Sequence, residues 1–237
     1  AELDQVEACL DEVARVDTPW LAHLLQHVLK NSGKRIRPAL TLLAGKLYSG
    51  PTGPLVSMAA AVELLHTATL MHDDTLDKAT VRRGKPTVNA LWNGDTAILA
   101  GDYLFARAAE MVSSLGDVRL TSLFARTLMV ICQAELERSS NAFRCNQTRE
   151  SYFQRIGSKT ASLFAVSTES GALLSGAPDA AVRALREYGH ALGMAFQIAD
   201  DILDFLGDEG EMGKPTGSDL LEGTLTLPAV LLLEKEP

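Results

Sequence analysis

Apolar residues recur along this chain at intervals of three and four, and no segment sustains a strict apolar–polar alternation. Leu3, Val6, Leu10 and Val13 share one helical face, as do Leu21, Leu24, Leu25 and Val28 after Pro19. From 55 to 77, Met58, Val62, Leu65, Thr69 and Leu76 run down one side of a helix, and Ala59, Ala60, Ala61 and Ala68 keep parts of it thin. The same spacing returns in 95–113, 116–143, 148–174 and 179–205, with Gly50-Pro51, Gly53-Pro54 and a glycine-rich stretch after Gly207 as punctuation. Valine and isoleucine are scattered rather than grouped. The pattern predicts an all-α fold, a bundle of roughly eight to ten helices.

Charge interrupts two of these apolar helices in the same way. Asp73-Asp74-Thr75-Leu76-Asp77 and Asp200-Asp201-Ile202-Leu203-Asp204 are one spacing written twice. On a helix the first and last aspartates of each run stack about one turn apart, where like charges destabilise by about 0.2–0.5 kcal/mol. A lone cluster of this kind reads as a solvated face or a cap. Two copies, each directly after an apolar segment, call for a counter-charge. A calcium loop needs alternating oxygens and a central glycine, which neither run has, whereas Mg²⁺ takes one or two carboxylates and completes its shell with water and phosphate oxygens. The runs therefore predict a metal–phosphate site between two helices.

Cations gather in neighbouring turns. Gly33-Lys34-Arg35-Ile36-Arg37-Pro38 places three of them at a helix start, the end where the dipole favours anions. An anionic ligand removes that conflict; a solvated basic turn is the alternative. Arg82-Arg83-Gly84-Lys85-Pro86-Thr87 follows the first acidic run directly, and Lys159-Thr160 sets a cation in an otherwise apolar helix. Carboxylates, basic turns and thin apolar helices together ask for a ligand anionic at one end and greasy at the other, as prenyl diphosphates are.

Composition narrows the class. At 237 residues and 46% hydrophobic, the chain can build one sizeable core, and a single domain over 1–237 is expected. A net charge of −8 argues against a general nucleic-acid surface. Cys9, Cys132 and Cys145 form no metal spacing and fit a reducing compartment. No apolar run approaches the ~20 residues of a membrane span, and the acidic N-terminus does not suit a signal peptide, so a cytoplasmic protein without an integral membrane segment is expected.

The segments GKRIRP, ELLHTATLMHDDTLD, RRGKPT, GDYLFA, GSKTASLF, FQIADDILDF, GKPTGSD and LEGTLTLP, running in order from Gly33 to Pro228, resemble the trans-type polyprenyl diphosphate synthases. The resemblance implies an isoprenoid synthase-like bundle around a central apolar cavity, a homodimer, and Mg²⁺-dependent condensation of an allylic prenyl diphosphate with isopentenyl diphosphate. It implies Mg²⁺ ligands at Asp73, Asp77, Asp200 and Asp204, with Asp74 beside them in the catalytic set. Arg82 would contact the allylic diphosphate, while Lys34, Arg37, His66 and Arg83 would bind isopentenyl diphosphate. Lys159, Thr160 and Gln197 would face the allylic substrate, and Lys214 would close over its diphosphate. Taken singly, His66 reads as a hydrogen-bonded core histidine, Lys159 as a snorkelling lysine, Gln197 as a cap on a buried carbonyl and Arg83 as a partner for Asp77.

Chain length should be set before Asp73, at Thr69 and Ala68, then Leu65 as a floor, then Val62 and Ala61; short-chain members resemble this pattern but place a bulky aromatic in the first of these layers, which is small here. One helical turn rises about 5.4 Å, close to an isoprene unit, so small residues here imply a medium- or long-chain all-trans product beyond geranylgeranyl diphosphate. Two departures stand out. Thr224 occupies a position where the family usually has lysine, and the family generally continues for several helices, so C-terminal helices are expected to be missing. The rival readings are a class I terpene cyclase and a non-catalytic subunit of a heteromeric synthase.

Overall fold

The computed structural model describes residues 2–30, 33–141, 143–144, 147–207, 216–221 and 223–235. Along them run α1 (Glu2–Val13), α2 (Pro19–Lys30), α3 (Ile36–Lys46), α4 (Thr52–Leu76), a small hairpin of β1 (Val81–Arg82) and β2 (Lys85–Pro86), α5 (Val88–Leu91), α6 (Gly94–Ser113) and α7 (Val118–Asn141). Then come α8 (Arg149–Ile156), a π-helical turn (Gly157–Ala161), α9 (Ser162–Leu174), α10 (Asp179–Leu206), α11 (Ser218–Leu221) and α12 (Leu227–Lys235). The fold is all-α as expected, with ten helices of eight residues or more among the described residues. The segment expected as one helix over 148–174 is helical without interruption from Arg149 to Leu174, with a π-helical turn set into it at Gly157–Ala161.

The chain divides into two compact units, residues 1–125 with 166–186, and residues 126–165 with 187–237. In the first, α4 is the central rod. Every residue from Met58 to Leu65 is buried, so this helix is enclosed on all sides by its neighbours α1, α3 and α6 rather than on the single face expected. Among the described residues it is the helix long and apolar enough to cross a bilayer; 67% of its most apolar window lies inside the protein, as in a core helix. Gly101, within α6, lets α4 approach: a Cβ there would collide with Nε2 of His72, whose ring instead bonds the Ile98 carbonyl at 3.0 Å. The GDY segment thus packs within a continuous helix.

In the second unit, Tyr152 and Ile156 of α8 and Leu163 and Phe164 of α9 are buried. Gly193 of α10 allows close passage, since a Cβ would lie 2.6 Å from Cα of Ala161. Phe164 and Phe196 pack with ring centroids 5.4 Å apart.

Both acidic runs occupy the last turns of long helices, α4 and α10, and neither helix has a basic residue in its last turn. The negative end of a helix dipole is the unfavourable end for carboxylates. The electrostatic debt visible in the sequence as like charges is therefore larger in the fold.

Candidate active site

In the first unit a cavity of about 70 Å³ opens beside α4, lined among others by Gly33, Glu63, His66, Asp74, Arg82 and Arg83. Several elements aim cations at it. Arg35 precedes α3 in the left-handed region (φ 51°) and is buried, with its guanidinium forked onto Glu7 at 2.5 and 3.0 Å and bonded to Glu63 at 2.7 Å. That arginine is internally neutralised. Arg83 and Gly84 form the two-residue loop between β1 and β2, both with positive φ (52° and 73°), as a type I′ hairpin turn requires. An arginine in a left-handed position is strained, and the fold retains it. Its guanidinium reaches the space a side chain at position 33 would fill, 2.5 Å from the Cβ that Gly33 lacks.

Electrostatics around the cavity follow from this crowding. Burial, opposed by Glu63 and reinforced by Arg83, brings the Arg37 guanidinium down to about 10. Burial also pushes the His66 imidazole well below its ordinary value, and Arg37, Arg83, Arg82 and Arg35 all add to the effect. His66 is neutral at physiological pH. Four arginines thus act on a neutral histidine, Arg35 and Arg82 with carboxylate partners of their own and Arg37 and Arg83 opposing each other. Lys34, between Gly33 and Arg35 in the chain, is exposed.

The first acidic run meets the same cavity. Asp73 is buried in the final turn of α4, and Asp77 closes the helix, its N–H donating to the Asp73 carbonyl at 2.8 Å, so the two remain one turn apart. Asp74 points to Arg82, whose Nε donates to Oδ1 at 2.6 Å. Burial raises the Asp74 carboxyl and Arg82 opposes it, while Asp73 and Asp77 raise it further. Leu65 and Ala68 are fully buried earlier in α4, and the Thr69 hydroxyl donates to the His66 carbonyl at 2.7 Å.

In the second unit the π-turn widens the backbone at the GSKTA segment. It carries Lys159, whose Nζ lies 2.5 Å from Glu135 Oε1, and Thr160, whose hydroxyl donates to Gln197 Oε1 at 2.6 Å. Gln197 Nε2 donates to Asp201 Oδ1 at 2.8 Å, and the Tyr152 hydroxyl donates to Asp201 Oδ2 at 2.6 Å. Burial and Asp201 together push the Tyr152 phenol far up, so it is a permanent donor. Arg155 stands 5.6 Å from the centroid of the Tyr152 ring and is anchored by Gln147 at 2.6 Å and the Leu225 carbonyl at 2.5 Å. Asp200 is exposed, whereas Asp204 is fully buried and accepts the Asp219 backbone N–H at 3.4 Å. Lys214 lies outside the described residues.

Sequence reasoning did not single out Glu7, Glu63, Tyr152 or Arg155, and it gave Asp201 only as a member of the second acidic run, with no partner. Their partners lie 28 to 70 residues away, apart from the Asp201–Gln197 and Arg155–Gln147 bonds, and no local spacing signals them.

The donor chemistry of the two runs fits a hard cation. Among the described residues no three His, Cys, Asp or Glu side chains converge to hold an ion by themselves. One or two aspartates, with water and phosphate oxygens completing the shell, are what Mg²⁺ ordinarily takes.

An all-α architecture with aspartate runs ending two long helices and a cation-crowded pocket beside one of them defines an isoprenoid synthase-type protein. Comparison with known proteins narrows the class. Residues 18–237 match the polyprenyl synthetase family model. Heptaprenyl diphosphate synthase component 2 of Geobacillus stearothermophilus is 43% identical over 235 residues, covering 99% of this chain and 73% of that protein. The crystal structure of a heptaprenyl diphosphate synthase from Staphylococcus aureus superposes with a TM-score of 0.94 at 40% identity, covering all of this chain and 75% of the other. A polyprenyl synthase from Caulobacter crescentus, complexed with calcium and isoprenyl diphosphate, gives 0.94 at 37% identity, covering 100% and 72%. The chain belongs to the polyprenyl synthetase family of trans-prenyltransferases.

Proposed function

We propose that this protein condenses an allylic prenyl diphosphate with isopentenyl diphosphate, head to tail and with Mg²⁺, to give a medium- or long-chain all-trans polyprenyl diphosphate. The observation that carries the reading lies in the first unit, where one cavity is bordered both by the arginines crowding His66 and by Asp74 of the first acidic run. A metal-free anion site and a carboxylate site side by side suit two diphosphates. The calcium and isoprenyl diphosphate in the Caulobacter crescentus enzyme support a divalent cation as partner.

Lys34, Arg37, His66 and Arg83 hold the isopentenyl diphosphate, and Arg82 contacts the allylic diphosphate. Asp73, Asp77, Asp200 and Asp204 are the residues that would hold Mg²⁺, which when bound supplies positive charge to the departing diphosphate. Asp74 keeps Arg82 in place. The allylic carbon–oxygen bond breaks heterolytically, and its electron pair leaves with the diphosphate. The isopentenyl double bond attacks the allylic cation, and the adduct loses a proton to the released diphosphate. Lys159, Thr160 and Gln197 border the allylic chain, so the protein contributes placement, charge stabilisation and exclusion of water. The tail extends along α4 past Thr69 and Ala68 toward Leu65. The heptaprenyl names of two similar proteins support a product of that size class.

A second reading has its own support. The Geobacillus stearothermophilus relative is called component 2, which suits a chain that works with a different partner subunit rather than as a homodimer. Incubation with Mg²⁺, farnesyl diphosphate and labelled isopentenyl diphosphate separates the cases. Label in an extractable prenyl diphosphate supports the synthase. Turnover only after a partner subunit is added supports the heteromeric form, and a cyclic hydrocarbon without label uptake would overturn both.

A further inference from the structure

The hydrogen bonds around Asp201 run in one direction, and that direction is forced. An ionised carboxylate only accepts, so Gln197 must turn its Nε2 toward Asp201 Oδ1, 2.8 Å away. Its Oε1 then faces Thr160 and must accept, so the Thr160 hydroxyl spends its proton on Gln197 at 2.6 Å. Tyr152 donates to the other oxygen of Asp201 at 2.6 Å and stops the carboxylate from rotating. Tyr152 is fully buried and Asp201 is 3% exposed, so water does not substitute for either. The outcome is that Thr160 and Gln197 have only oxygen lone pairs and one remaining amide N–H to offer a ligand. Those lone pairs are the negative ends of their dipoles.

We propose that Tyr152 and Asp201 are positioning residues that set the amide of Gln197, so that Thr160 and Gln197 present oxygen to the allylic carbons where positive charge develops. The inference rests on the reading of Thr160 and Gln197 as neighbours of the allylic substrate. Asp201, unlike Asp200 next to it, faces inward, and its two oxygens are occupied by protein donors.

The test is a single-turnover condensation series on the full chain, with thermal denaturation run alongside. Asp201→Asn lets position 201 donate, which allows the Gln197 amide to turn over, and Tyr152→Phe frees the carboxylate. The condensation rate should fall about tenfold to a hundredfold in Asp201→Asn and less in Tyr152→Phe, with the KM for isopentenyl diphosphate and the half-saturating Mg²⁺ concentration within about twofold of wild type. The double variant Gln197→Glu with Asp201→Asn restores the whole chain of bonds: the new amide at position 201 donates to the new carboxylate at position 197, which again accepts from Thr160. It should recover most of the rate lost in Asp201→Asn. Wild-type rates in both folded single variants would overturn the proposal. So would a loss in Asp201→Asn that high Mg²⁺ restores, since Asp201 would then be a metal ligand. A double variant no faster than Asp201→Asn, while still folded, also overturns it. Absence of condensation by the wild-type chain instead defeats the functional reading, and the two failures are thereby distinct.

Discussion

The two acidic runs share their letters and their position at a helix end, yet the fold gives their middle aspartates opposite company. Asp74 is closed by a cation eight residues downstream, Arg82, which is 40% exposed. Asp201 is closed by neutral donors, Tyr152 and Gln197, in a buried setting. The first arrangement sets a cation against the carboxylate. The second leaves the negative charge in place, with the Gln197 amide nitrogen turned toward it. A repeated motif therefore does not fix what surrounds its middle aspartate.

If the outer aspartates are equivalent despite this difference, Asp73→Ala and Asp200→Ala should each lower steady-state condensation by about 10²-fold or more, at saturating substrates. Near-normal turnover in one of them would show that the runs are unequal in function as well as in surroundings. Ala68→Phe touches only the helix of the first run, filling a fully buried position one turn before His72. Its product should be shorter by chromatography, and an unchanged distribution would move the chain-length floor elsewhere.

Stability separates the middle aspartates more finely. Tyr152→Phe strands a buried carboxylate oxygen and should cost about 1–3 kcal/mol in urea denaturation. Arg82→Gln removes a partly exposed ion pair and should cost about 1 kcal/mol or less. Equal losses would erase that contrast. The smallest effect is one of pH. His66 binds a proton less readily folded than unfolded, so the unfolded chain takes up more protons as pH falls through the ordinary histidine value of 6.5, and stability declines there. In His66→Gln the slope of unfolding free energy against pH between 5.5 and 7 should be shallower by at most about 1.4 kcal/mol per unit, measured by denaturant titration.

Much of this was legible in the chain itself. The three-to-four spacing gave the all-α class, the apolar segment before Asp73 gave α4, and the cations of GKRIRP and RRGKP pointed to an anion pocket because they offend a helix dipole or crowd one turn. The partition of those cations was not legible. Arg35 reads like Lys34 and Arg37, but a buried fork onto Glu7 and Glu63 makes it architectural, and both partners lie 28 residues away. The π-turn at Gly157–Ala161 has no periodic signature, since one extra residue in a turn barely shifts an apolar stripe. Tyr152 carries no local cue to its bond with Asp201, which closes a loop of 49 residues. Local spacing encodes faces; which faces meet is settled by packing.

On the proposed function, the arginine pocket takes a diphosphate without metal while the carboxylate runs take theirs only with it. Isothermal titration calorimetry in the presence and absence of EDTA tests this directly, using isopentenyl diphosphate and a non-ionising thiolo analogue of farnesyl diphosphate. Isopentenyl diphosphate should bind in EDTA and lose at least about tenfold in affinity in Arg83→Gln, whereas the farnesyl analogue should bind only with Mg²⁺. Metal-dependent binding of isopentenyl diphosphate, or metal-independent binding of the farnesyl analogue at the same affinity, would contradict it.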